Sequence, residues 1–363
     1  MFRYLILLSF LPETSFLPIY MASARKIAKE AGVSIGTVSR VLNNKMGVSE
    51  DTRRRVMEVA QGLNYTLPKR LPLPMLAVTH IGLLAKPVSE TSILANPFYA
   101  DVYHGVEQAC SDLDIHLAFN VMEIADERLR KLPTLLNDER IGGLITLGAL
   151  PHSVVAALTR VIDAPCVMVD NWAPDTPWDS VMMDNTGGMS AVVAHLIAQG
   201  HQQIVFVAGP EHPSIVERQA GYEGAMHQHG LTPQIIETPD LGIPDGEAAA
   251  EMLIEVHSDA TAVVCANDMQ AIGVIRRFTQ QGIAVPEQIA VTGFDDIQMA
   301  SFIQPTLTTM HVDRVALGRL AVDLLLGRVN APWRPAVRCT MSVSFVMRES
   351  TAGLTVDLHA AVG

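Results

Sequence analysis

Apolar positions change their rhythm twice along this chain. Between residues 24 and 63 they recur at helical spacing in three bursts: Ile27, Ala28 and Ala31, then Val38, Val41 and Leu42, then Val56, Val59, Ala60 and Leu63. Start and stop residues bound each burst. Gly32 stops the first. Ser34 can cap a second helix over Ile35–Leu42, which Asn43-Asn44 ends. Ser49 can cap a third, with Glu50 and Asp51 in the first turn where the helix dipole favours acids. The pattern predicts three short helices in a compact all-α module. Pro68, Pro72 and Pro74 then forbid a regular helix, and residues 67–79 read as a stiff, partly extended linker.

From His80 the grammar becomes short apolar runs alternating with amphipathic segments. Strands are expected at Ile81–Ala85, Leu117–Val121, Gly143–Leu147, Cys166–Asp170, Ile204–Ala208, Ala262–Ala266 and Ile289–Phe294. Helices are expected at Phe98–Leu113, Asp126–Asn137, Ser153–Ile162, Gly188–Gln199, Val216–Gln228, Gly246–Val256, Asp268–Gln281 and Val312–Leu326. Buried, non-alternating strands between helices imply parallel α/β sheets, and so many residues imply two lobes. We expect one lobe from about 80–184 and 311–337, the other from about 185–310 and 338–348, and a tail over 349–363.

The chain's 363 residues are 49% hydrophobic and 18% charged, which excludes wholesale disorder. Four cysteines, Cys110, Cys166, Cys265 and Cys339, are too few for a disulfide scaffold; they sit in apolar runs as buried free thiols of a reducing compartment. The net charge of −12 is unevenly spread. Residues 22–70 hold ten Lys/Arg against four acids, a surplus of six, so the remainder carries −18. A small basic head on an acidic body points to one part that meets a polyanion and another that does not.

Residues 1–20 admit two readings. Arg3, the apolar run Tyr4–Leu11 and Ala22-Ser23-Ala24 have the outline of a secretory signal, too short to span a membrane. Cleavage there would cut into the basic helical unit, which is complete from Met21; residues 1–21 are therefore expected to be an upstream extension of a cytoplasmic protein.

The second helix is the most informative object. A basic helix, a tight Gly turn and a second helix form a helix-turn-helix, which sets the second helix's N-terminal residues at base edges in the major groove. Arg40 can donate in bidentate fashion to guanine, while Ser34, Thr37, Ser39 and Asn43 are short donors for phosphate oxygens. Residues 24–34, Thr37–Asn43, Val48-Ser49, Arg53, Val56 and Leu63-Asn64-Tyr65 resemble the headpiece of the lactose/galactose-repressor family over about 45 residues. The resemblance implies that Ile35, Gly36 and Arg40 occupy base-reading positions, with Tyr65 among the phosphate contacts. Gly36 then reads nothing directly, and Ile35 offers only apolar contact. Members of the family follow this point with a hinge helix that wedges a leucine into the minor groove. Here prolines occupy that stretch, with Leu73 or Met75 near the wedge position.

Residues 80–348 resemble the same family's effector domain, which is similar to periplasmic sugar-binding proteins. Its landmarks include Asn96-Pro97-Phe98-Tyr99, Glu217-Arg218-Gln219-Ala220-Gly221-Tyr222, Asn267-Asp268 and Gly293-Phe294-Asp295-Asp296. Ligands of open α/β sheets bind beyond the carboxyl ends of strands, where Asp170, Asn267 and Asp295 fall. By resemblance Asp170, Arg218, Asn267 and Asp295 are sugar-contacting positions; such groups can hold vicinal hydroxyls, and Phe98, Tyr99 and Trp172 can cover a sugar's apolar face. Structural roles compete: Asp295 or Asp296 could cap a helix, Trp172 could be a loop or dimer residue, and Arg218 could be a structural ion pair. No HExxH, GxSxG, P-loop or GxGxxG motif marks an enzyme, no cofactor is implied, and the histidines lack partners at metal-ligand spacing.

The expected function is a sequence-specific DNA-binding transcription regulator, a repressor switched by a small effector, a sugar or sugar derivative. One headpiece reads half a site, so a homodimer on a pseudo-palindromic operator is expected; the tail has no leucine heptads to tether a tetramer. The rival is a secreted periplasmic sugar receptor using residues 1–24 as its signal.

Overall fold

The computed structural model describes residues 26–42, 48–63, 78–87 and 93–351. Residues 1–25, most of the proline-rich linker and the tail after Thr351 lie outside the described residues. The chain divides into two units, one up to Met75 and one from Leu76 onward.

The first unit holds α1 (residues 26–31), α2 (Ile35–Leu42) and α3 (Glu50–Gly62). Its core is the apolar set the pattern predicts: Ile27, Ala28, Ala31, Val38, Val41, Val56 and Ala60, with Val59 and Leu63 packed against it. Gly32 turns the chain at φ +66, a conformation that costs glycine little. Both expected caps form. Ser34 Oγ accepts from the Thr37 amide at 3.1 Å, and Ser49 Oγ accepts from the Thr52 amide at 3.4 Å.

The second unit is two α/β lobes. The sheet of the first lobe contains β1 (His80–Ala85), β2 (His116–Val121), β5 (Ile141–Leu147), β6 (Cys166–Val169), β7 (Asp179–Met183) and β13 (Arg338–Met341). These six strands are parallel and run in the order β13-β7-β6-β5-β1-β2. Helix α5 (His152–Thr159) follows β5. Helices α4 (Pro97–Asp112) and α10 (Arg314–Asn330) pack tightly on one another. A Cβ on Gly105 would stand 2.1 Å from the Val315 carbonyl oxygen, and one on Gly318 2.1 Å from that of Val102, so the contact is backbone on backbone.

The second lobe is built on β8 (Ile204–Val207), β9 (Gln234–Ile236), β10 (Ala262–Cys265) and β11 (Ala290–Thr292), parallel strands in the order β11-β10-β8-β9. Around them lie α6 (Asn185–Ala198), α7 (Pro213–Gln228), α8 (Ile243–Val256) and α9 (Asp268–Gln280), with the antiparallel pair β12 (Thr309–His311) and β14 (Ser344–Val346) alongside. The chain passes between lobes three times: from β7 into α6, from β12 into α10, and from β13 to β14.

Three expectations are corrected. Residues 126–137 are not a helix. They form a hairpin of β3 (Ile124–Ala125) and β4 (Arg128–Leu129) followed by a 3-10 turn at Thr134–Asn137. Asp126 and Glu127 take left-handed φ values of 50 and 56, and Pro133 bars a helix interior. Residues 338–348 do not all belong to the second lobe, because β13 pairs with β7 in the first-lobe sheet. Cys339, on β13, is half-exposed, whereas the other three thiols are buried.

A buried charge cluster fixes β13 there. Asp179, fully buried, pairs with Arg328, with Arg334 at 2.6 Å, and accepts from the Val337 amide at 2.7 Å. Asp179→Ala leaves Arg328 buried without its carboxylate. We expect a loss of about 3–5 kcal/mol in urea unfolding; an unchanged midpoint would show that the cluster is not holding the strand.

Candidate functional site

In the first unit, α2 begins at a cap satisfied by Ser34, whose hydroxyl also meets Thr37 Oγ1 at 2.9 Å. Gly36 is exposed and Thr37 half-buried. Ile35, Ser39 and Arg40 lie along α2. Asn43, Tyr65, Leu73 and Met75 lie outside the described residues. The first turns of α2 thus combine free backbone N–H groups, two hydroxyls and a helix dipole, a combination suited to phosphate oxygens.

In the second unit a cleft of about 300 Å³ opens between the lobes. Six of the seven residues expected at an effector site line it: Phe98, Tyr99, Asp170, Arg218, Asn267 and Asp295. Asn96 sets the first two, because its side chain caps α4 by accepting from the Phe98 amide at 2.9 Å and the Tyr99 amide at 3.4 Å. Asp170 follows β6 at φ 56. It accepts from the Tyr99 hydroxyl at 2.8 Å and, across the cleft, from the hydroxyl of Ser214 at the start of α7. Burial, then the Asp170 charge, pushes the Tyr99 phenol well above its ordinary value.

Arg218 forms the floor, 4% exposed. Its guanidinium donates to Asp295 Oδ1 at 3.0 Å, Asn185 Oδ1 at 2.9 Å and the Ala266 carbonyl at 2.6 Å, and lies 3.8 Å from the Phe294 ring centroid. Asp295 sits at φ 111, strained backbone at the floor of the cleft. Burial raises its carboxyl to about 6, with Arg218 and then Arg314 pulling it down. Behind it Asp268 is wholly buried, accepting from the Thr309 hydroxyl at 2.6 Å and the Ile297 amide at 2.8 Å. Burial, followed by the Asp295 charge, holds the Asp268 carboxyl well above its usual range. A Cβ on Gly293 would lie 2.2 Å from Asp268 Oδ1, which accounts for the glycine before Phe294-Asp295. Asn267 caps α9 through the Gln270 amide at 2.9 Å and donates to the Leu241 carbonyl at 3.1 Å, leaving one amide N–H for a ligand.

Two expectations need adjustment. Trp172 does not line this cleft; it lines a larger cavity beside it. Asp296, offered as a cap for the helix that follows, instead pairs with Arg348 at 2.6 Å and His311 at 2.9 Å. Sequence reasoning missed Lys86, His212, Ser214 and Asp240, all in the lining. The rule that picks out strand ends also picks out Lys86, the residue after β1. The pair His212-Pro213, with proline in the first turn of α7, marks a helix start aimed at the same mouth.

Similarity to known proteins agrees with this geometry. The model of the lacI family of bacterial regulatory proteins matches residues 25–67, and that of a periplasmic binding protein-like domain matches residues 193–351. The HTH-type transcriptional repressor PurR of Photobacterium profundum is 32% identical over 343 residues, covering 92% of this chain and all of that protein. The ribose operon repressor of Escherichia coli (strain K12) is 35% identical over 320 residues, covering 86% and 94%. Among solved structures, a complex of the transcriptional regulator CelR with cellobiose superposes with a TM-score of 0.68 at 27% identity, covering 90% of this chain and 99% of that one. A lac repressor dimer bound to operator and an anti-inducer gives 0.67 at 28% identity, covering 90% and 98%.

His212 gives the site a pH signature. Burial lowers its imidazole from 6.5 to about 4; nearby Asp170 raises it, and Arg218 and Lys86 lower it further. The unfolded chain takes up this proton where the native protein does not, so stability is lost as pH falls from 6.5 towards about 4. Asp295 acts oppositely: its carboxyl, raised to about 6, costs stability when ionised and relieves that cost as pH falls through this value. His212→Gln removes the first effect. Its melting temperature is expected to fall less than the wild type's over that acidic range; parallel profiles would show that His212 is not the titrating group.

Proposed function

The chain belongs to the lacI family of bacterial regulatory proteins, DNA-binding transcription regulators, and we propose that it is a cytoplasmic repressor whose hold on a pseudo-palindromic operator is set by a small carbohydrate between its lobes. The carrying observation is the presence on one chain of an N-capped helix-turn-helix and an interlobe cleft floored by the buried Arg218–Asp295 pair. The names of the relatives support the same assignment, since one is a ribose operon repressor and one neighbouring structure holds cellobiose.

In this reading α2 enters the major groove. Arg40 donates to a guanine edge, Ile35 lies against a thymine methyl, and Ser34, Thr37, Ser39, Asn43 and Tyr65 hold phosphates. Leu73 and Met75 belong to the minor-groove hinge. Two copies present two headpieces to two half-sites; a lac repressor bound to operator as a dimer supports this reading. The effector meets Asp170, Arg218, Asn267 and Asp295 with its hydroxyls and Phe98 and Tyr99 with its apolar face. It can move the DNA equilibrium only by binding one arrangement of the lobes more tightly than the other. A secreted receptor would have no use for a groove-reading helix. No helix among the described residues is long and apolar enough to cross a membrane.

Two measurements test the two halves. On an operator selected from random duplexes, Arg40→Ala is expected to cost about 1–3 kcal/mol and to relax choice at one base position, read by fluorescence anisotropy. Equal affinity would remove Arg40 from the reading set. A monosaccharide that raises the melting temperature of the full chain should also change operator affinity. Arg218→Ala should abolish both responses to the sugar, and a retained response would mean the ligand binds elsewhere.

A further inference from the structure

The cleft does not end at its inner wall. A second cavity of about 710 Å³ adjoins it, and the two share Lys86, Ala149, Pro210 and His212. Its far side is Trp172, with the β3–β4 turn and His152 on the first lobe and Glu211 and Glu217 on the second.

Three features make this a built space rather than a gap. First, its rim is held in a costly shape. The left-handed turn residues Asp126 and Glu127 are tied down by a hydrogen bond from the Ser153 hydroxyl to the Glu127 carbonyl and by the Arg130–Asp126 pair. Second, two residues of the lining carry a buried polar atom without a protein partner among the described residues: His212 Nδ1 and Trp172 Nε1. Such atoms cost free energy that a ligand hydroxyl can return. Third, the Trp172 wall is wired to the inner floor. The Arg338 guanidinium lies 4.7 Å from the Trp172 ring centroid and pairs with Glu217. Glu217 accepts from Asn185 Nδ2 at 3.1 Å, and Asn185 accepts from Arg218 at 2.9 Å.

The lining also selects charge. Of the four carboxylates in the lining, Asp126 is paired with Arg130 and Glu217 with Arg338, which sets Glu127 and Glu211 against the ammonium of Lys86. Phosphate or carboxylate is repelled there, whereas hydroxyls can donate to the carboxylates.

We propose that the outer cavity is a second ligand subsite, so that the effector has two linked units: one sugar ring in the inner cleft and an uncharged glycosyl unit against Trp172, joined past His212. This rests on the carbohydrate reading of the inner cleft and deepens it.

The test is calorimetric titration of the full chain with matched pairs: D-glucose with cellobiose and maltose, D-galactose with lactose and melibiose, D-xylose with xylobiose. In at least one pair the disaccharide is expected to bind about tenfold tighter or better. Trp172→Ala should bring that ratio to about one. His152→Trp, which fills the cavity from an exposed rim position, should do the same and does not depend on Trp172 for folding. A phosphate monoester on the non-reducing ring of the preferred disaccharide, at 6′ for the hexose sugars and at 4′ for xylobiose, should bind more weakly than the neutral sugar, and equal binding overturns the charge assignment. Monosaccharides binding as tightly as their disaccharides throughout, or a preference that survives both substitutions, overturns the outer subsite while leaving the inner one standing. If no sugar of any pair binds, the carbohydrate reading falls and this inference with it.

Discussion

A guanidinium can be taken out of water only where its donors are met, and Arg218 meets that demand by joining the ends of three elements to the body of a fourth. From α7 it reaches Asn185 at the start of α6, the Ala266 carbonyl beyond β10 and Asp295 beyond β11. The start of α6 and the ends of β10 and β11 are therefore held together by one side chain, and the floor of the cleft follows from satisfying it. A ligand arriving there competes with bonds already made. It must offer donors and acceptors close together to be worth the exchange, which favours vicinal hydroxyls over an apolar body.

Charge divides the labour along the chain. The basic surplus lies in residues 22–70, whereas the remainder is strongly acidic and repels a polyanion. Electrostatic attraction for a polyanion is thus concentrated in that short stretch. The headpiece's tiny apolar core of mostly valine and alanine supports three helices whose stability owes much to their caps.

What the sequence disclosed was local. The headpiece was legible because Ser34, Gly32 and Ser49 act within a few residues of themselves. Asp170, Asn267 and Asp295 were legible because strand ends of parallel sheets converge on one side; applied without exception, that rule would have added Lys86. Non-local pairings were not legible. The β13 strand enters the first-lobe sheet because of Asp179, Arg328 and Arg334, partners about 150 residues apart in sequence for the first pair. The β3–β4 hairpin was hidden because its turn places two consecutive non-glycine residues, Asp126 and Glu127, at left-handed φ, a conformation Asp tolerates but Glu seldom takes. Trp172 was assigned to the inner site from its nearness to Asp170. Asn171 intervenes, its amide donating to the Leu150 carbonyl and its Oδ1 accepting from the Trp172 amide, and the indole faces the neighbouring cavity.

The three passages between lobes carry a mechanical consequence. Two of them leave side by side, since Met183 and Met341 are in register and the Asp184 amide donates to the Met341 carbonyl at 2.8 Å. Displacing one lobe along or away from the other would strain all three tethers at once, two of them from adjoining points. Torsion at the crossing residues is the remaining soft coordinate, so the work done by a small captured molecule is channelled into a single angular displacement instead of being dissipated over many independent ones.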